Sequence, residues 1–223
     1  MENSNTLVSY SDVEIERGGQ KVLSGLCFSV CGGEMVTIEG SIGAGKSSLF
    51  KTLYADLPIS GGRAEVLGVN LKGLPDRKIS KLRRRMGIVF QDYQLFDNKT
   101  VGDNLRFVID SLDFRPPVKT ADYINQILEK VGIAGKSETF PHMLSGGERQ
   151  SVAIARAIVC NPELIIADEP TGNLDEASAI HIAELLYSLA KEGTGVIVAT
   201  HDGNIFSRFP HRTLRIQDGT LVE

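Results

Sequence analysis

The chain of 223 residues is 42% apolar and 23% charged, the balance of an ordinary globular protein that buries one sizeable core. Its net charge of −4 speaks against nucleic acid as a partner, because such binding needs a broad cationic surface. No apolar run reaches the ~20 residues of a bilayer-spanning helix, and Met1–Asn5 lacks the basic start of a secretion signal, so the expectation is a cytoplasmic chain forming one domain over residues 1–223.

Three scattered cysteines, Cys27, Cys31 and Cys160, make neither a disulfide framework nor a four-ligand zinc site. They read as reduced, mostly buried small hydrophobes. Residues 7–30 alternate, with Val13/Ile15 and then Leu26/Phe28/Val30 on either side of Gly18-Gly19. That period of two predicts an antiparallel β-layer.

After the turn Cys31-Gly32-Gly33, the apolar run Met35-Val36-Thr37-Ile38 leads into Gly40-Ser41-Ile42-Gly43-Ala44-Gly45-Lys46-Ser47-Ser48. A strand, then G-x-x-x-x-G-K-S, then a helix is a phosphate-binding loop. Gly40, Gly43 and Gly45 let the backbone turn sharply and bring its N–H groups close to a polyphosphate. The helix start adds the positive end of its dipole. Lys46 supplies a charge for the β and γ phosphates, and the Ser47 hydroxyl is placed for Mg²⁺. Ser41, Ala44 and Ser48 belong to the same wrap around the nucleotide. A glycine-rich turn that binds nothing is the bland alternative, and the motif by itself names a nucleotide and no task.

Leu49, Phe50 and Leu53 mark the helix that follows, Pro58 and Gly61-Gly62 break it, and Ala64–Leu67 is another short β segment. A helix is expected over about residues 76–85, its cluster Lys78, Lys81, Arg83, Arg84 and Arg85 reading as a solvated face. Met86–Phe90 is a short apolar strand that delivers Gln91 at its carboxyl end, where α/β proteins hold ligands. Residues 92–145 are richer in helix, with a break at Arg115-Pro116-Pro117. Ile124, Ile127, Leu128 and Val131 fall at i, i+3, i+4 and i+7, an amphipathic helix stopped by Gly132. This stretch reads as a helical subdomain inserted into an α/β core.

Leu144-Ser145-Gly146-Gly147-Glu148-Arg149-Gln150 opens a further helix, with Ser145 and Glu148 at capping-box spacing. Capping does not require two glycines in the first turn, where each weakens a helix by up to ~1 kcal/mol. They suit an anion approaching the N–H groups. Leu164–Ala167 is a buried parallel strand ending in two carboxylates. Asp168 fits the Mg²⁺-holding role and Glu169 the base that polarises the attacking water. Val196–Thr200 repeats the pattern and ends on His201-Asp202. A lone strand-end histidine is more often structural; beside a phosphate clamp, a neutral His201 imidazole contacting the γ-phosphate becomes the better reading. His142, His181 and His211 are left structural, and a β-turn at Asp218-Gly219 closes the chain.

GSIGAGKS, Gln91, LSGGERQ, LIIADEP, Asn173-Leu174-Asp175 and His201 stand in the order and spacing of ABC-transporter nucleotide-binding domains. Over nearly its whole length the chain resembles that family. The resemblance implies the P-loop ABC ATPase fold, ATP with Mg²⁺, and hydrolysis. It implies a homodimer formed on ATP, two copies head to tail, each nucleotide lying between the P-loop of one and Ser145-Gly146-Gly147 of the other, with Asp175 lining the interface. Gln91 would then join metal and water to the helical subdomain, where an integral membrane subunit docks and holds the chain peripherally on the inner face of the membrane. The stretch Leu82–Asp92, with Gln94-Leu95-Phe96 and Thr100-Val101, resembles the cell-division branch of the family. The string Asp168–Asp175 is shared with lipoprotein-releasing and macrolide-export ATPases.

Two departures stand out. Family members carry an aromatic ahead of the first Gly-Gly turn to stack on adenine, whereas this chain reads Glu14-Ile15-Glu16-Arg17-Gly18 and Tyr10 falls in the strand pattern. Adenine is then held by apolar and backbone contacts, and GTP competes better than in relatives with the aromatic. The arginine that follows the signature glutamine is Ser151. Two other classes remain open: a soluble ABC ATPase without a membrane subunit, and a module that binds ATP but hardly turns it over, against which Glu169 and His201 argue.

Overall fold

Two sheets form because two apolar patterns occur along the chain. The computed structural model describes residues 5–201 and 203–223; the readings made on Met1–Ser4 and on Asp202 lie outside them. The alternating pattern builds β1 (Thr6–Arg17) and β2 (Gln20–Cys31), an antiparallel pair closed by Gly18-Gly19. The register shifts between Tyr10 and Val13, beside the left-handed Asp12 (φ 52°), so Tyr10, Val13 and Ile15 all reach the buried face. Tyr10 is walled in by Phe28, ring centroids 4.8 Å apart, and its hydroxyl meets Thr52 Oγ1 at 2.9 Å. Burial pushes its phenol far above the usual range, and no face of it is left for a base.

The continuous apolar pattern builds β3 (Met35–Glu39), the first strand of a second sheet. β4 (Gly61–Val66) and β5 (Val69–Asn70) extend the first sheet to the order β2-β1-β4-β5. β6 (Met86–Val89), β7 (Leu164–Asp168), β8 (Gly195–Thr200), β9 (Arg212–Gln217) and β10 (Thr220–Val222) complete the second in the order β10-β9-β3-β8-β7-β6. All its pairings are parallel except β10 with β9, which turn at Asp218-Gly219. A sheet covered on both faces explains why β7 and β8 carry no polar alternation.

Those faces divide the core. Ile165, Ala167, Val196 and Val198 join one hydrophobic cluster, while Leu164, Ile166, Ile197 and Ala199 join the other. The second cluster holds the antiparallel layer and α1 (Lys46–Leu53), with Leu82 of α2 (Asp76–Arg83). The first holds α3 (Val101–Ser111), α4 (Thr120–Lys130), α5 (Gly146–Ile158) and α6 (Glu176–Lys191). The four residues of the expected amphipathic stripe, Ile124 to Val131, are buried, and α4 ends just before Gly132 at φ 78°. The fold is α/β: a parallel core with the antiparallel layer, α1 and α2 on one face and α3 to α6 on the other.

Two expectations are corrected. None of the cysteines is fully buried: Cys27 is exposed, and Cys31 and Cys160 are half-buried, the thiol of Cys160 being pushed up to about 11 by desolvation. The basic cluster is not simply a solvated face. Arg83 donates to the Tyr54 carbonyl at 2.8 Å, and Arg85 grips Glu163 through two bonds of 2.6 and 2.8 Å and the Leu67 carbonyl at 2.7 Å. Both arginines tie loops that are far apart in the chain.

Candidate active site

Because β3, β6, β7 and β8 run parallel, the residues following them emerge along one carboxyl edge, the ligand edge of an open α/β sheet. There Gly43 and Gly45 take φ of 83° and 106°, and a Cβ on Gly45 would stand 3.1 Å from Leu23 and Val22 of β2. Only glycine satisfies both that backbone and that neighbour. The loop curls around Lys46, whose Nζ donates to the carbonyls of Gly40 at 2.7 Å and Ser41 at 3.2 Å. Its side chain is only 7% exposed. Helix α1 begins with Leu49 N–H bonding to Gly45, so the N–H groups before it have no intrahelical partner.

Glu169 lies opposite. Its backbone is left-handed (φ 49°), uncommon for a residue with a side chain, and this turn at the end of β7 swings the carboxylate over the loop. Oε1 is 3.4 Å from Lys46 Nζ, and Oε2 accepts from His201 Nδ1 at 2.8 Å and from the His201 N–H at 3.3 Å. The carboxylate is 11% exposed, His201 46%. A neutral ring has one N–H, and with Glu169 taking it at Nδ1 the other nitrogen carries a lone pair that repels phosphate. As a neutral ring, His201 can donate to a γ-phosphate once it releases Glu169.

Asp168, at the last position of β7, receives a hydrogen bond from Ser47. Burial, then the neighbouring Glu169 charge, raise its pKa, against the pull of Ser47, Lys46 and Lys51. Its Oδ1 is buried with no hydrogen-bond partner, a costly state that a cation would relieve. Among the described residues no group of three or more His, Cys, Asp or Glu side chains could hold a metal. The Asp168 carboxylate and the Ser47 hydroxyl are hard oxygen donors of the kind Mg²⁺ takes alongside phosphate oxygens.

A cleft of about 490 Å³ is lined by Gly43, Gly45, Lys46, Ser47, Ser48, Gln91, Glu169 and His201, together with Ile42, Arg17 and Val22. Gln91 also lines the adjoining cleft of about 690 Å³ beside Asp168, Lys51, Tyr54 and Asn173. Gly40 and Ser41 contribute through the carbonyls that hold Lys46, and Ala44 packs against the second core cluster. The chain thus brings together all but four of the expected residues. Ser145, Gly146, Gly147 and Asp175 do not line this cleft.

Those four form a separate corner. Ser145 and Glu148 close the expected capping box, with bonds of 3.2 and 2.8 Å. Asp175 caps α6, accepting from the Ser178 N–H at 3.0 Å and hydroxyl at 2.8 Å, bonds that hold its carboxyl below the ordinary range. The two glycines differ. A Cβ on Gly147 would stand 2.6 Å from Ser178 Oγ, so packing against α6 requires that glycine, whereas a Cβ on Gly146 would meet nothing nearer than 3.6 Å. Only Gly146 keeps the anion-approach explanation. Ser151 is buried on α5, so a small side chain suits its place.

Sequence reasoning missed Lys51, Arg17 and the pair Tyr93 and Arg156. Lys51 was findable, four residues after Ser47 on the same face of α1. Arg156 was not: it reaches from α5 to donate to the carbonyls of Tyr93, at 2.8 Å, and Gln94, two residues held at φ of 61° and 52° just beyond Gln91.

Known proteins bear on this site. Residues 23–172 match the family model described as ABC transporter. The chain is 40% identical over 205 residues to the cell division ATP-binding protein FtsE of Streptococcus pneumoniae, covering 92% of this chain and 88% of that one. Among solved structures it resembles the ATP-binding cassette MJ0796 in its dimeric post-hydrolysis state bound to ADP and Pi, at a TM-score of 0.85 and 29% identity, with 97% of each chain covered. It likewise resembles cbiO1 of Clostridium perfringens, part of the ABC transporter complex cbiONQ, at a TM-score of 0.88 and 29% identity over 98% of this chain and 88% of that one. A P-loop cleft faced by a strand-end Glu169 and His201, with a capped LSGGERQ helix standing apart, is thus found in a chain that belongs to the ABC transporter family of ATP-binding cassettes.

Proposed function

We propose that this chain is the ATP-hydrolysing subunit of a membrane complex of the FtsE kind, acting as an ATP-bridged homodimer on an FtsX-like integral membrane protein in cell division. The observation that carries the chemistry is the position of Glu169, 3.4 Å from the P-loop lysine and 2.8 Å from His201. Without nucleotide its carboxylate is neutralised by Lys46. The β and γ phosphates draw Lys46 to themselves and leave Glu169 free to accept a proton from water as that water's oxygen attacks the γ-phosphorus. The bond from γ-phosphorus to the β–γ bridging oxygen breaks, giving ADP and phosphate. His201, released from Glu169, contacts the γ-phosphate and steadies it. Ser47, Gln91 and the unpaired oxygen of Asp168 would hold Mg²⁺, which when bound neutralises charge on the phosphates.

The dimer reading is supported by what the cleft lacks: Ser145 to Gly147 are built as a phosphate-ready helix end yet do not line it. A second copy can supply them, and the similar cassette MJ0796 is dimeric. Residues 92–145 are the helical arm, with Gln91 at its root. The chain would stay in the cytoplasm, held to the inner membrane face by its partner.

Glu169→Gln decides the chemistry. It should keep ATP affinity while losing on the order of 10²-fold or more in turnover, and it should form a stable dimer with ATP and Mg²⁺ by light scattering, which Ser145→Arg prevents. Wild-type turnover in Glu169→Gln would remove Glu169 from the base role. Co-purification of an FtsX-like protein from detergent-solubilised membranes tests the partner, and its absence would favour a soluble ATPase.

A further inference from the structure

We infer that Arg17 is the base platform of the nucleotide cleft, its guanidinium plane lying against the purine where no aromatic ring is present. This rests on the reading of that cleft as the ATP site. Lys46, Ser47 and Glu169 make the phosphate-binding part of this cleft, and Val22 and Arg17 line the same cleft. No Phe, Tyr or Trp is among the lining residues. Tyr10, the nearest aromatic in sequence, is buried against Phe28 and bonded to Thr52.

Arg17 ends β1 and pairs with Gln20 across the Gly18-Gly19 turn, which fixes its backbone at the lip. β2 lies directly against the loop, since a Cβ on Gly45 would touch Leu23 and Val22. The side chain is also uncommitted. Among the described residues Arg17 makes no ion pair and no side-chain hydrogen bond, whereas the nearby Glu14 is taken by Lys21 at 2.7 Å. A lone guanidinium lining the same cleft as an apolar valine and a phosphate clamp has the two properties a base needs. It presents a flat, weakly hydrated face that stacks on heterocycles, and its charge attracts their π-electrons. Such stacking tolerates any base, so ATP and GTP gain from it alike.

The test separates stacking from charge by using a ligand without a base. Calorimetric titration of the full chain with ATP and with tripolyphosphate is compared for wild type, Arg17→Ala, Arg17→Lys and Arg17→Tyr. Arg17→Ala should weaken ATP on the order of 5- to 30-fold and tripolyphosphate by less than about 2-fold. Arg17→Tyr should restore ATP binding, and Arg17→Lys, which keeps charge but loses the plane, should not. Equal losses for ATP and tripolyphosphate, rescued by Arg17→Lys, would overturn the inference in favour of a phosphate contact. Unchanged ATP binding in Arg17→Ala would also overturn it. Lys46→Ala is the control on the site: ATP affinity that survives Lys46→Ala sinks the site reading and the inference together, whereas its loss there with no loss in Arg17→Ala sinks the inference alone.

Discussion

Asp168 carries a charge that the folded chain disfavours. Its pKa is raised, first by burial and then by Glu169, above the ~3.9 of an unfolded aspartate. The folded state therefore holds the proton more tightly, and stability declines as pH rises from ~3.9 through the raised value. At neutral pH the ionised carboxylate costs stability, and its unpaired Oδ1 adds to the cost. Asp168→Asn keeps the shape and removes the charge, so without nucleotide the melting temperature should rise, on the order of 2 °C by scanning calorimetry. Turnover should fall on the order of 100-fold or more in the same variant. A lower melting temperature would mean that Lys46 and Lys51 already satisfy the charge. The strained turn at Glu169 belongs with this site: two successive carboxylates are each held where a residue chosen for stability would not be.

At the scale of elements, the segment after β6 is held rather than loose. Tyr93 and Gln94 occupy the left-handed region in succession, a conformation costing about 1 kcal/mol or more per residue unless neighbours enforce it. Arg156 of α5 enforces it by donating to both carbonyls, and the Gln94 side chain donates to Asp92 at 2.7 Å. The Tyr93 hydroxyl would lie 3.7 Å from a Cβ on Gly146, so the loop that carries Gln91 also touches the start of α5. Arg156→Gln should release this loop and lower kcat on the order of 10-fold while ATP affinity stays within about 2-fold, measured by phosphate release and nucleotide titration. Equal damage to both would mean general destabilisation of α5.

The same elements show what a sequence can carry. β3, β7 and β8 were legible because their apolar runs end on chemically distinctive residues, and α4 and α5 because stripe and cap are local patterns. The P-loop side of the cleft was legible for the same reason. What escaped depends on partners distant in the chain: Gly147 is explained by Ser178, Arg85 by Glu163 and Leu67, and Arg156 by the carbonyls of Tyr93 and Gln94. No local period encodes such contacts. Cys27 was misread because β2 turns alternate residues outward, and position in that alternation outweighs the apolar character of a thiol.

For the molecule as a whole, the division of the core between the two faces of the parallel sheet matters most. Adjacent residues of one strand serve different clusters, Ile165 one and Ile166 the other. The helical side and the antiparallel side thus touch mainly through the central strands that both of them cover. Either layer can loosen while the sheet stands, and in amide hydrogen exchange the two sides should behave as separate units. The amides of β3, β7 and β8 should exchange only through global unfolding. Those of α3 and α4, and those of β1 and β2, should open at two distinct lower free energies. A single free energy across all three groups would show one cooperative block. With separate units, added denaturant should bring the helical side to exchange without hastening β1 and β2, and the P-loop between β3 and α1 would keep its shape while the arm beyond Gln91 opens and recloses.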